Sequence, residues 1–99
     1  MWYCGCMIDH IDYWPAAQVV IDDLEADPVR AAILDAVNRT IDRLVADLMD
    51  RRLGTKLFMT EELGGLSATP VRLDDWFIFW QRGPEPGGLD IVAIAQLDV

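Results

Sequence analysis

The segment Trp76-Phe77-Ile78-Phe79-Trp80 constrains the fold more than any other part of this 99-residue chain. All five side chains are large and apolar, so both faces of an extended strand formed by them need cover. Strands that are buried on both faces lie inside a sheet and not at its edge. We therefore predict a central strand from Trp76 to Gln81, with helices over one face and a further surface or a partner over the other.

Two helices are predicted ahead of that strand. Pro15 suits a first helical turn because its φ is already helical and it has no amide proton to leave unpaired. Apolar residues follow it at helical spacing and share one face: Ala17, Val20, Ile21 and Leu24. We expect this helix to end near Ala26, and Asp27-Pro28 gives the next start signal, an N-cap oxygen followed by proline. The second helix carries an apolar stripe in steps of three and four: Ile33, Val37, Ile41, Leu44 and Leu48.

The second helix is predicted to end at Gly54, which supplies the left-handed residue common at helix C-termini. Arg51 and Arg52 then fall in its last turn, beside the partial negative charge of the helix dipole. Only a few residues around Asp27 separate the two helices, so we expect them to form an antiparallel hairpin.

The remaining segments are predicted to form a sheet. A short first strand is expected within residues 8–14, and three further strands at residues 67–73, 76–81 and 89–97, separated by turn-forming residues. The predicted fold class is α+β: a short N-terminal strand, an antiparallel helical hairpin and a three-stranded antiparallel β-meander, in one domain of residues 8–99. Residues 1–7 are predicted to be a disordered leader.

Charge and hydropathy restrict the partners. The chain has 17 Asp and Glu against eight Lys and Arg, a formal net charge of −9. Such a chain repels phosphate backbones, so direct nucleic-acid binding is disfavoured and a more basic protein partner is favoured. No apolar run reaches the roughly 18–20 residues of a membrane span, and the opening residues do not resemble a signal peptide. We expect a cytoplasmic protein without membrane contact.

The candidate metal ligands lie near the N-terminus. Cys4, Cys6 and His10 form a Cys-x-Cys-x3-His cluster, and with Asp9 or Asp12 it offers the donor types of a zinc site. The chain has only these two cysteines, so the sequence favours free thiols, with no metal and no cofactor expected. His10 has no evident orienting partner, and we expect a surface histidine instead of a general base.

One cationic patch is plausible near the end of the second helix and the sheet: Arg51, Arg52, Lys56, Arg72 and Arg82. Helix-end capping and surface ion pairs are the alternative role for these side chains. Trp76 and Trp80 lie on the same side of their strand. They fit either the core or a groove for a partner's helix or strand.

The order of elements resembles the RelE/ParE toxin superfamily of bacterial toxin–antitoxin modules. The local match is in the second half, where Leu63-Gly64-Gly65-Leu66 looks like the family's Leu-rich turn. Residues 71–80, VRLDDWFIFW, look like its arginine-bearing strand, its Gly-Asp-type turn and its aromatic strand. The resemblance covers most of residues 8–97.

The resemblance implies a toxin covered by an antitoxin segment along the hairpin and sheet. Ribosome-dependent members of the family cut mRNA with basic and hydrogen-bonding groups on this sheet. Arg72 matches the family's arginine on the preceding strand. The arginine expected after the turn aligns with Phe77, whose side chain cannot hold a phosphate.

We therefore expect a RelE/ParE-like toxin-module protein that acts through protein–protein binding, with a degenerate or lost nuclease site. The expected partner is a cognate antitoxin or another protein that is more basic than this chain. Trp76, Trp80, Arg51 and Arg52 are the candidate partner-binding residues. Exposed apolar sheet would also favour a homodimer.

Two alternatives stay open at the level of sequence. The first is an active ribosome-dependent endoribonuclease that cleaves mRNA with Arg72, Arg82 and Lys56. The second is a small acidic interaction protein without enzymatic activity, which offers carboxylates to a DNA-binding partner in place of phosphates.

Overall fold

A computed structural model describes residues 8–61, 64–73, 75–85 and 87–97. Within these residues the chain is α+β, with two helices and a five-stranded mixed sheet. The strands are β1 (His10–Tyr13), β2 (Lys56–Thr60), β3 (Gly64–Pro70), β4 (Trp76–Arg82) and β5 (Gly88–Gln96). The helices are α1 (Pro15–Ala26) and α2 (Ala31–Ala46), and two 3-10 turns, Pro28–Arg30 and Arg51–Leu53, flank α2.

The strand order across the sheet is β1-β5-β4-β3-β2. β1 runs parallel to β5, and every other neighbouring pair is antiparallel. β4 is therefore the central strand, as its apolar sequence predicted. Successive side chains of a strand point to opposite faces, so Trp76, Ile78 and Trp80 share the face that joins the core with α1 and α2.

The core lies between the helices and this face of the sheet. α1 and α2 each bury one apolar stripe at helical spacing, which is the pattern that predicted them. The fully buried side chains include Leu24 of α1, Leu44 just inside the end of α2, and Ile78, Leu89 and Ile91 of the sheet. Burial of each such side chain contributes about 1.5–3 kcal/mol.

The antiparallel part of the sheet has four strands, so the predicted three-stranded meander is wrong in strand number. The additional strand is β2, which pairs with β3 over its whole length, from Lys56 opposite Ala68 to Thr60 opposite Gly64. β2 contains three consecutive apolar residues and no alternation, so periodicity gave no strand signal. Pairing with β3 makes this segment a strand.

The start of α2 differs slightly from the prediction. Asp27 does act as a cap, since its carboxylate accepts a hydrogen bond from the N–H of Val29 at 3.0 Å. The turn that it caps is a 3-10 turn, and α2 itself begins at Ala31. Helix N-termini often open with such a turn.

The end of α2 comes at Ala46, which is earlier than the predicted end at Gly54. The carboxylate of Asp47 accepts a hydrogen bond from the N–H of Met49 at 3.0 Å, and bonds of this kind compete with helix continuation. Arg51 and Arg52 therefore do not lie in the last turn of α2. They belong to the separate 3-10 turn, which Gly54 ends with a left-handed φ of 71°.

The predicted leader of residues 1–7, including Cys4 and Cys6, lies outside the described residues. Among the residues that are described, neither helix combines the length and the apolar character that crossing a membrane requires.

Candidate functional site

Arg72 joins two segments at one end of the sheet. It lies in the turn between β3 and β4 with a φ of 72°, which is uncommon for a residue other than glycine. Its Nη2 donates a hydrogen bond to the carbonyl oxygen of Arg52 at 3.0 Å. The guanidinium packs against Gly54, where a Cβ atom would lie only 3.0 Å from Arg72 Nη2. Arg72 therefore has a structural role in this turn.

The three catalytic candidates lie in three different grooves. Lys56 lines a groove of about 410 Å³ between β2 and the segment after α2. Arg82 lines a groove of about 300 Å³ beside the loop between β4 and β5. Arg72 lines a third, of about 450 Å³, between α2 and the β3–β4 turn. A strand rises about 3.3 Å per residue, so the length of β4 separates Arg82 from the turn that holds Arg72.

Asp50 holds Arg52 by three hydrogen bonds. Its carboxylate accepts from the backbone N–H of Arg52 at 2.9 Å, and from Nε and Nη2 at 3.1 Å each. These hydrogen bonds lower the pKa of Asp50 and raise the pKa of Arg52. Arg51 lies in the same 3-10 turn and lines the groove of Lys56. The structure thus brings Arg72 to the turn that holds Arg51 and Arg52, and it leaves Arg82 apart from them beside the β4–β5 loop.

Trp76 and Trp80 belong to the core, where they are 6% and 5% exposed. The Nε1 of Trp80 donates a hydrogen bond to Thr69 Oγ1 at 2.9 Å, and the hydroxyls of Thr69 and Thr55 share a second bond of 2.6 Å. The Nε1 of Trp76 has no hydrogen-bond partner within the described part of the chain. The guanidinium of Arg30 lies 5.7 Å from the centre of the Trp76 ring. Neither indole ring offers an exposed surface of useful size to a partner.

Of the candidate metal ligands near the N-terminus, the structure describes Asp9, His10 and Asp12. His10 opens β1 at the edge of the sheet and is exposed. Among the described residues, no three His, Cys, Asp or Glu side chains are grouped so that they could hold a metal ion. Cys4 and Cys6 are outside those residues, so the expectation of free thiols without a metal stays a prediction.

Basic side chains are absent from the N-terminal part of the sequence. The first 29 residues hold six Asp and Glu and no Lys or Arg, and every Lys and Arg lies between residues 30 and 82. β1 and α1 carry four exposed acids, which we name the acidic edge: Asp12, Asp22, Asp23 and Glu25. These two elements therefore carry an excess of negative charge, which favours basic partners.

The opposite edge of the sheet is apolar. Leu57, Phe58 and Met59 of β2 are 69%, 41% and 76% exposed. The rings of Phe58 and Phe79 meet edge-on with their centres 5.9 Å apart. Met49, in the turn after α2, is 73% exposed and lines the same groove as Leu57. This surface was not predicted from the sequence because β2 was not predicted, and only the three consecutive apolar residues ahead of the Gly-Gly pair pointed to it.

Neither the models of known protein families nor the curated proteins that were compared with the chain give a match.

Proposed function

We propose that this chain is a RelE/ParE-like protein of a toxin–antitoxin module that acts through protein–protein binding and has a degenerate or lost nuclease site. Its partner is a cognate antitoxin or another protein with a more basic surface. The alternative, an active endoribonuclease, needs several of the candidate cations to act on one phosphodiester.

The observation that carries this proposal is the separation of Arg82 from Arg72 by the length of β4, with Lys56 on β2 in a groove that neither of them lines. Phosphodiester cleavage needs groups that contact the same reacting atoms within a few ångströms. Arg72 also donates to the carbonyl oxygen of Arg52, so its guanidinium already has a structural partner. These three side chains fit surface and structural roles better than a shared catalytic role.

The element order supports the assignment to this family. A strand, two helices and a run of antiparallel strands follow one another along the chain, in the order that the resemblance implies. Phe77 takes the position of the family's second arginine. By the alternation along β4, its side chain faces away from the helices, on the same side as Phe79. An apolar ring on that face suits contact with another protein and not with a phosphate.

The acidic edge supports a basic partner. Its four carboxylates are exposed and lie in a region of the sequence that lacks Lys and Arg. Charge complementarity of this kind speeds association and selects the partner, and it weakens as salt screens the charges. We expect the complex to lose affinity between low and high ionic strength.

Growth of a bacterial host during induced expression tests the toxin role. We expect the wild-type chain to arrest growth, and the triple variant Lys56→Ala/Arg72→Ala/Arg82→Ala to arrest it as well, provided that circular dichroism shows a folded protein. Relief of arrest by a folded triple variant would favour the endoribonuclease. Growth that is untouched by the wild-type chain would reject the toxin role altogether.

Neutralising the acidic edge tests the binding mode. Asp22→Asn/Asp23→Asn/Glu25→Gln keeps the size of the side chains, so we expect a folded protein that loses at least tenfold in affinity for the co-purified partner at low salt. A matched control removes three exposed acids elsewhere, with Glu61→Gln/Asp75→Asn/Glu85→Gln. An equal loss of affinity in both variants would mean that net charge alone causes the loss, and it would reject the acidic edge as the binding surface.

A further inference from the structure

We propose that the β2 edge binds a second copy of this chain, with the two β2 strands antiparallel and centred on Phe58, so that two sheets join into one. The acidic edge lies on β1 and α1, and β1 is at the other side of the sheet. Self-association through β2 is therefore independent of the proposed function and leaves the acidic edge free for a different partner.

β2 is an open edge of the sheet. Among the described residues it has β3 as its only neighbour in the sheet. An edge strand presents unpaired N–H and C=O groups that pair readily with another strand. Natural edges are commonly protected by charge, proline or a bulge, whereas β2 has one lysine at its start and exposes Leu57, Phe58 and Met59 in succession. Such an edge favours pairing over solvation.

Two-fold symmetry restricts the register in which two β2 strands can pair. Two copies related by a two-fold axis normal to the sheet must place one residue opposite itself, because opposed residues share a sheet face. With Phe58 on the axis, Phe58 faces its own copy, and Leu57 faces Met59 of the second copy. Every exposed apolar side chain of β2 then meets another apolar side chain. Centring on Leu57 would place Lys56 opposite Phe58, and centring on Met59 would place Leu57 opposite Glu61.

The charge at the start of β2 favours the antiparallel orientation. Lys56 opens the strand, and in the register centred on Phe58 it lies opposite Thr60 of the second copy, so the two lysines are at opposite ends of the joined strands. Parallel in-register pairing would place the two Lys56 side chains side by side. Like charges in neighbouring cross-strand positions destabilise a sheet.

The size and charge of the interface set its expected strength. A pair of five-residue strands with the neighbouring Met49 buries less surface than the roughly 1,600 Å² of a standard stable interface. Each copy also has a net charge of −9, so the two copies repel at long range. We therefore expect a dissociation constant on the order of 10–100 μM at moderate salt. Added salt should tighten the dimer because it screens this repulsion, which is the reverse of its effect on a basic partner.

Analytical ultracentrifugation of the purified full-length chain tests the proposal. We expect a monomer–dimer equilibrium that tightens at least threefold between low and high salt. Met59→Lys should weaken it at least tenfold and still fold, because Met59 is 76% exposed. The matched control is Val29→Lys, which changes a 90% exposed residue in the 3-10 turn before α2 and should leave the dimer unchanged. A monomer at all concentrations, growth beyond a dimer, or equal effects of both variants would overturn the proposal.

Cysteine crosslinking tests the register. In a Cys4→Ser/Cys6→Ser background, Phe58→Cys places the new thiol opposite its own copy, with Cβ atoms about 4.5–5.5 Å apart. We expect it to form a disulfide-linked dimer several-fold faster than Met59→Cys, whose thiol lies diagonal to its own copy. Crosslinking of Met59→Cys that is equal or faster would overturn this register. Growth arrest is measured separately, so loss of the dimer and loss of the toxin role are distinguishable.

Discussion

Replacement of Thr69 by valine is expected to be costly although it conserves shape. Thr69 is fully buried on β3, and its hydroxyl accepts from Trp80 Nε1 and shares a bond with the Thr55 hydroxyl. Valine has the same branched outline and a high strand propensity, so packing is kept. The indole N–H of Trp80, in a ring that is 5% exposed, then loses its acceptor. A buried donor without a partner costs about 1–3 kcal/mol.

The hydroxyl of the half-buried Thr55 loses its hydrogen-bond partner as well, at a smaller cost. For both losses together, we expect Thr69→Val to lower the free energy of unfolding by about 2–3 kcal/mol. For a chain of this size that corresponds to a fall in Tm of roughly 10–20 °C. Thr69→Ser keeps the hydroxyl and removes one methyl group, so it should cost only about 1 kcal/mol. Urea unfolding followed by fluorescence and by circular dichroism measures both variants. A cost below about 0.5 kcal/mol for valine, or a larger cost for serine than for valine, would refute this reasoning.

Three further predictions follow from local geometry. Gly54→Ala should lower the free energy of unfolding by about 1–2 kcal/mol, because φ is +71° and the new Cβ would press on Arg72 Nη2; a variant as stable as wild type in thermal unfolding would contradict this. The pKa of Asp50 is lowered by its hydrogen bonds to Arg52, so its contribution to stability is present above the ordinary aspartate pKa and is lost as pH falls through the folded value. NMR titration should find the Asp50 pKa below 3.8, and Asp50→Asn should flatten the acid limb of stability against pH; an ordinary pKa would contradict it. Burial raises the pKa of Tyr13 above 10.0, so its contribution to the stability of the fold is present at neutral pH and is lost as pH rises through the folded pKa. Tyr13→Phe should therefore reduce the loss of stability at alkaline pH. An unchanged dependence of stability on pH would count against it.

Much of the fold was readable from hydrophobic periodicity. Pro15 and the apolar stripe predicted α1 with the bounds that it has, and the pentapeptide at 76–80 predicted the central strand. The end of α2 was not readable in the same way, because Leu48 continues the stripe and is buried although the helix has already stopped. The side chain of Asp47 bonds to the backbone there, and that local competition does not alter the spacing of apolar residues.

The candidate site was less predictable than the fold. The sequence shows which cationic residues are present, but which of them lie close together depends on where each strand ends. Arg72 and Arg82 lie toward opposite ends of β4. The pattern favoured the core for Trp76 and Trp80 but also allowed a partner groove, since both roles use large apolar side chains. The exposed apolar β2 edge was not predicted for another reason. An apolar run is normally interpreted as buried, and only the sheet order shows that β2 is outermost.

The integrity of mRNA during growth arrest tests the central claim most directly. Cells that are arrested by induced expression of the wild-type chain would be sampled, and primer extension along abundant transcripts would detect new cleavage sites. The proposed protein-binding role predicts arrest with intact transcripts. New cleavage sites that disappear in a folded Lys56→Ala/Arg72→Ala/Arg82→Ala variant would contradict it and establish the nuclease in its place.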